Sequence, residues 1–222
     1  MILAAGVGKR MRPLTNQTPK PLLRVGGRPL IAHHLEHLSQ AGFREVVINV
    51  SHLAEQIIEF CGDGGNWDLH IRHSIEPEPL ETAGGIHRAL PLLGTDPFLV
   101  INGDIWTDYP LMRLKNTTLK GKLTAHLILV DNPTQHPKGD FLLDKQGLIK
   151  ELPEQASGLT YAGMGIYSRA FFAGVTAAKM PLKPLMDEAI RLGSLGGEYY
   201  AGSWHDVGTP ERLRTLDRQF SS

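Results

Sequence analysis

The first twenty-one residues, MILAAGVGKRMRPLTNQTPKP, constrain this chain more than any other stretch. Met1 to Ala4 is a short apolar run with the length and content of a buried strand. A loop containing Gly6 and Gly8 follows at once, and Arg10, Arg12 and Lys20 lie in it or just beyond it. Glycine lets backbone N–H groups turn toward one point with no Cβ in the way, and basic side chains add full positive charge there. A strand that runs into such a turn is a place to hold phosphates. It is not a P-loop, because no Gly-Lys-Ser/Thr ending follows. Nor is it the dinucleotide fingerprint, because Met11 stands where a third Gly or Ala is needed. For the glycines taken alone, an ordinary strand-to-helix turn with surface charge stays open as the alternative.

The rest of the chain alternates strands with helices. Pro29 suits a first helical position, Ile31, Leu35 and Leu38 recur on one face, and Gly42 fits just past the helix end. His33 and His37 have the spacing of a metal pair, but no acidic or cysteine partner is near. Glu45 to Val50 is a β-branched strand, Leu53 to Cys61 a helix, and His70 to Ser74 a short strand. Prolines 77 and 79 hold the chain extended before a helix that Thr82 could cap. Gly84 and Gly85, early in that helix, either admit a flat ligand to the backbone or are merely tolerated. This alternation predicts an α/β fold: a Rossmann-like mixed, mostly parallel sheet with helices on both faces.

The most apolar strand, Pro97 to Asn102, ends in Gly103-Asp104. A carboxylate at the carboxyl end of a central strand sits where open α/β sheets bind ligands. Asp104 is therefore either a hard-cation ligand beside phosphates or a turn aspartate bonded to its own backbone. Asp108 and Tyr109 read as caps or rim residues of a following helix. After the strand Leu123 to Val130 the pattern breaks into a loop and a hairpin around Gln146-Gly147. Gly163 and Gly165 mark either a close ligand approach or a bend in a strand. Leu182 to Leu192 is a helix, and Thr209-Pro210 caps the last one, with Asp206 just before it.

These segments together resemble the sugar-1-phosphate nucleotidylyltransferases, whose sheet is the nucleotide-diphospho-sugar transferase fold. The resemblance rests on Gly6-Val7-Gly8-Lys9-Arg10-Met11-Arg12-Pro13-Leu14-Thr15 with Pro19-Lys20-Pro21, on Leu80-Glu81-Thr82-Ala83-Gly84-Gly85, on Asn102-Gly103-Asp104, and on Trp204-His205-Asp206-Val207-Gly208-Thr209. It implies transfer of a nucleoside monophosphate from an NTP, UTP first, to a sugar 1-phosphate, with Mg²⁺ as cofactor. Arg10, Lys20 and Asp104 become the catalytic residues, and Asp104 and Asp206 the metal ligands. Ala4, Ala5, Gly6, Gly8 and Lys9 take the nucleotide phosphates, with Leu80, Glu81, Gly84 and Gly85 on the base side. Asn102, Asp140, Glu151 and Gly163 fall on the sugar side. Glu81 stands where many hexose-1-phosphate members have Gly, a departure that resembles the branch acting on N-acetylmuramate 1-phosphate. Mannose-1-phosphate guanylylation and a non-catalytic nucleotide-sugar-binding protein are the alternatives. Many relatives carry Glu-Lys-Pro where this chain has Glu151-Leu152-Pro153, so their sugar-phosphate lysine is absent here or replaced.

Composition sets the remaining expectations. The 222 residues suffice for one nucleotidyltransferase domain, with a nucleotide part over about 1–108 and a sugar part over about 109–222. No length is left for the C-terminal β-helix that some relatives add, and a few residues upstream of Met1 are expected to be missing. Zero formal net charge gives no bulk attraction to nucleic acid or to a membrane, so any anion site is local. One cysteine, Cys61, excludes an internal disulfide framework, and a cytoplasmic monomer or small homo-oligomer is expected.

Overall fold

The structure, a computed structural model, describes residues 1–94, 97–175 and 179–220. In chain order the central strands and helices are β1 (Ile2–Leu3), α1 (Leu30–Gln40), β2 (Glu45–Val50), α2 (Ala54–Cys61), β3 (His70–Ile75), α3 (Glu81–Ala89), β4 (Phe98–Asn102), α4 (Leu111–Lys115), β5 (Ala125–Val130), β6 (Thr160–Tyr167), α5 (Lys183–Arg191), β7 (Leu195–Tyr199) and α6 (Pro210–Gln219). The seven strands form one sheet in the order β7-β5-β6-β4-β1-β2-β3. Only β6 runs against its neighbours, pairing antiparallel with both β4 and β5. The mixed, mostly parallel sheet expected from the sequence is therefore present.

Strands buried on both faces read as continuous apolar runs. Val46, Ile48 and Val50 of β2 and Leu99 and Ile101 of β4 pack with α1 and α2 in one core layer. Val47, Phe98 and Val100 point the other way, into a second layer with Ala83, Ile86, Met186 and Ala189 of α3 and α5. Cys61 is buried in the first layer, as its place on an apolar helix end predicts.

Chain direction from β1 decides where the site lies. Strand β1 pairs with β2 on one side and β4 on the other, so the sheet order reverses beside it. At such a switch point the loops after neighbouring strands part and leave a crevice. Gly103 makes the closure tight: its N–H donates to the Leu3 carbonyl at 2.9 Å, and a Cβ there would lie 2.6 Å from that oxygen.

Several local expectations change. Pro29 is the residue before α1, not its first, because it also pairs with Arg24 in a short ribbon. Thr82 does not cap α3, which begins at Glu81. The Met180 carbonyl accepts from the N–H groups of Ala83 and Gly84 at 3.0 and 3.2 Å, so the helix start needs no side-chain cap. Tyr109 is a fully buried core residue rather than a rim residue, its hydroxyl donating to Glu198 at 2.8 Å. Asp108 caps nothing and instead accepts from the Tyr200 hydroxyl at 2.7 Å. A short strand at Ile105–Thr107, absent from the sequence reading, pairs antiparallel with Trp204–Asp206.

His34 ties α1 to this strand. Its ring is buried, hydrogen-bonds the Ile105 backbone, and leaves Nε2 with no hydrogen-bond partner. Burial, with His33 and His37 adding repulsion, lowers its pKa from 6.5 to about 4. A ring kept neutral in the fold is protonated more readily in the unfolded chain, so stability falls as pH drops through that window. The expected loss from this ring is on the order of 3 kcal/mol between those two pH values. Denaturant unfolding at pH 6.5 and near pH 4.5 checks it: His34→Gln should flatten the pH dependence relative to the native chain.

Candidate active site

The crevice at the switch point is a cleft of about 220 Å³. Leu3 to Gly6 form one wall, Asn102 to Asp104 another, and Pro79, Glu81 and Thr82 close a third. Gly8 explains how the chain leaves β1. Its φ is +64°, its carbonyl accepts from the Thr15 hydroxyl at 2.8 Å, and a Cβ would meet the Thr15 methyl at 2.8 Å. The loop then makes a short turn, Lys9–Met11, that leaves Lys9 and Arg10 exposed with Met11 buried beneath.

Lys20 and Asp104 meet on the lining of the cleft. Lys20 Nζ lies 2.5 Å from Asp104 Oδ2, with the lysine side chain 10% and the aspartate 37% exposed. Asp206 is brought alongside by the strand pair: it stands opposite Ile105, and the Val207 N–H donates to the Asp104 carbonyl at 2.9 Å. Two carboxylates from distant parts of the sequence thus end on adjacent backbones. Oxygen-only donors in this number suit a hard divalent cation that completes its shell with phosphate oxygens and water. His33 Nε2 lies 2.9 Å from the Val25 carbonyl and is engaged there, and among the described residues no group of three or more His, Cys, Asp or Glu is gathered in one place.

The base-side wall rests on two polar residues that the sequence reading missed. Asn49, at the carboxyl end of β2, accepts from the Ala4 N–H at 2.8 Å and donates to Glu76 Oε1 at 2.7 Å. Glu76, just past β3, accepts from the Leu80 N–H at 2.9 Å with its other oxygen. Both side chains are buried, yet both line the cleft. A chain of hydrogen bonds therefore joins the phosphate loop to the Leu80–Glu81 turn. Glu81 itself has φ +60°, a conformation that favours glycine, and its carboxylate reaches to 4.0 Å from Lys179 Nζ. A polar residue at a strand's carboxyl end was the available signal, and Asn49 and Glu76 both carry it.

Other expected site residues fall elsewhere. Gly84 and Gly85 are buried behind the cleft lining: the Gly84 N–H is taken by Met180, and Gly85 makes room for Glu76. Asp140 accepts from the Tyr161 N–H at 2.8 Å and faces His136 Nε2 at 3.0 Å, so both of its oxygens serve the loop. Gly163, at φ +75° in a bulge of β6, makes room for the Asn102 amide, which would lie 2.7 Å from a Cβ. Glu151 is exposed at the end of the 141–151 hairpin. Of these sugar-side residues only Asn102 lines the cleft.

With this geometry in view, the chain belongs to the nucleotidyl transferase family, whose model matches residues 1–221. It is 47% identical over 218 residues to the N-acetylmuramate alpha-1-phosphate uridylyltransferase of Neisseria meningitidis serogroup B, covering 96% of this chain and 94% of that one. It is 33% identical to the mannose-1-phosphate guanylyltransferase catalytic subunit beta of Drosophila pseudoobscura pseudoobscura, over 97% of this chain but 60% of that subunit. HddC from Yersinia pseudotuberculosis superposes with a TM-score of 0.81 at 23% identity, covering 99% of this chain and 97% of that one. That likeness speaks for the fold alone.

Gly85→Ala tests the buried bridge. The new Cβ would lie 2.6 Å from Glu76 Oε1 and 2.9 Å from Asn49 Nδ2. We expect a loss of about 1–3 kcal/mol in stability, as for overpacking elsewhere, together with weaker nucleotide binding. Thermal unfolding and nucleotide titration would measure the two effects.

Proposed function

We propose that this family member transfers uridylate from UTP to N-acetylmuramate 1-phosphate, giving the UDP-sugar and pyrophosphate. The observation that carries the reading is 47% identity to a relative of that activity, spanning nearly the full length of both chains. Glu81 supports it too, since a carboxylate side chain is kept on the cleft wall at a left-handed backbone position where glycine would relax. The reading places the enzyme in the cytoplasm, in recycling of cell-wall sugars. Residues of about 1–108 hold the nucleotide and those of about 109–222 the sugar.

Charge dictates the chemistry. A phosphate must attack the α-phosphorus of a triphosphate, and the two anions repel. Positioning and electrostatic stabilisation supply most of such catalysis. In this reading Arg10, Lys9 and the N–H groups of the Gly6–Gly8 loop hold the β- and γ-phosphates. Ala4 and Ala5 line the path to them, and Leu80 and Glu81 lie beside the base and ribose. Lys20 sits between the α-phosphate and the incoming sugar phosphate, screening both. Asn102 faces the sugar side, and Asp140, Glu151 and Gly163 shape the loops beyond it. Mg²⁺ held by Asp104 and Asp206 would neutralise charge on the α-phosphate and on the leaving pyrophosphate. No general base is needed, because a sugar phosphate is already largely ionised at neutral pH.

Pyrophosphate release with Mg²⁺, crossing UTP, GTP, CTP and dTTP with several sugar 1-phosphates, decides the substrate. Turnover confined to UTP and N-acetylmuramate 1-phosphate is expected. Turnover with GTP and mannose 1-phosphate would replace this reading with guanylylation. Asp104→Asn should abolish turnover with the fold retained. Lys20→Ala should lower kcat on the order of 100- to 1,000-fold, the scale of one lost oxyanion donor.

A further inference from the structure

Asp206 does not stand alone beside Asp104. Arg212 Nη1, from the first turns of α6, donates to Asp206 Oδ2 at 2.5 Å, with the two side chains 21% and 28% exposed. Gly208 lies between them. A Cβ there would come within 2.2 Å of Arg212 Nη2 and 2.9 Å of Asp206 Oδ1. Gly208 is not among the glycines with positive φ, so the passing guanidinium explains it better than backbone strain. Thr209 fixes the helix start by accepting from the Arg212 N–H, which sets where the arginine side chain departs. Lys20 holds Asp104 in the same way, by one carboxylate oxygen.

Each carboxylate of the pair is thus compensated by its own cation, one from the loop after β1 and one from α6. A guanidinium in contact with a carboxylate offsets much of that carboxylate's pull on a second cation. It also fixes the carboxylate plane, leaving the other oxygen to bind.

We propose that Arg212 is a positioning residue for Asp206. It presents Oδ1 to a divalent cation. Together with Lys20 it keeps the two carboxylates from collecting that cation before a triphosphate brings its own negative charge. The proposal rests on reading Asp104 and Asp206 as the metal-holding pair. Metal and nucleotide would then load together rather than metal first.

Mn²⁺ binding followed by electron paramagnetic resonance tests this on the whole chain, alone and with a non-hydrolysable UTP analogue. Without nucleotide, R212Q should bind Mn²⁺ at least about tenfold more tightly than the native chain, since a neighbouring positive charge is gone. R212K should keep the native weak binding, and both variants should lose kcat with little change in KM for UTP. Should R212Q fail to fold, Gly208→Ala, which pushes the guanidinium aside, is expected to tighten metal-only binding in the same direction. Unchanged Mn²⁺ affinity in R212Q, with D206N still weakening the nucleotide complex, would overturn the role of Arg212 and leave the metal reading intact. A D206N chain that binds Mn²⁺ and nucleotide as the native chain does would overturn both.

Discussion

The contact between Lys20 and Asp104 depends on two residues of β1 pairing on both sides. Ile2 and Leu3 sit between β2 and β4, and this register carries the chain from Leu3 to the same end of the sheet as Gly103. Lys20 then crosses to Asp104 from a short turn over that end. A nearly buried lysine is costly unless paired, and here it is paired directly with a carboxylate. Such a pair is weak support for stability and strong support for placement: two opposite charges are held in one spot, the lysine shielded and the aspartate open to the cleft. In the proposed reaction, that spot is where an attacking and a leaving phosphate would be told apart.

Much of this was legible in the sequence because it follows from local chemistry. The run Phe98 to Asn102 is apolar on both faces, so it had to be a central strand, and Asp104 had to sit at its carboxyl end. Gly8 lies in the left-handed region with a side chain already packed against it, which is why a glycine loop can be read without a structure. What was not legible depends on partners far along the chain. The strand at Ile105–Thr107 is too short to announce itself and exists because Trp204–Asp206 pairs with it. Thr82 looks like a helix cap, yet a carbonyl from Met180 supplies the acceptors' role and the helix begins earlier. Tertiary contacts override local preference wherever they satisfy the same donors.

The glycines show the same division. Gly84 and Gly85 suggest room for a ligand, but Gly85 makes its room for Glu76 and Asn49. Gly163 suggests a ligand at the backbone, but an asparagine from the neighbouring strand fills the space. Missing side-chain volume can be read from the sequence, whereas the group that occupies it cannot. In both cases the occupant is a polar side chain that itself faces the cleft. These glycines serve the site at one remove, by letting its walls approach.

Charge balance links the observations. The chain has zero formal net charge, so it cannot draw a triphosphate in by its overall field. Under the proposed function, attraction would come from local charge such as the exposed Lys9 and Arg10 on the loop, while the inner cations are paired with Asp104 and Asp206. An incoming polyphosphate would meet free positive charge first and paired charge later. In the proposed reading, its oxygens would reach Lys20 while Arg212 keeps its hold on Asp206 through Oδ2 and leaves Oδ1 for the cation. The pairing that compensates the two carboxylates is then, in that reading, also what holds them in place for the cation.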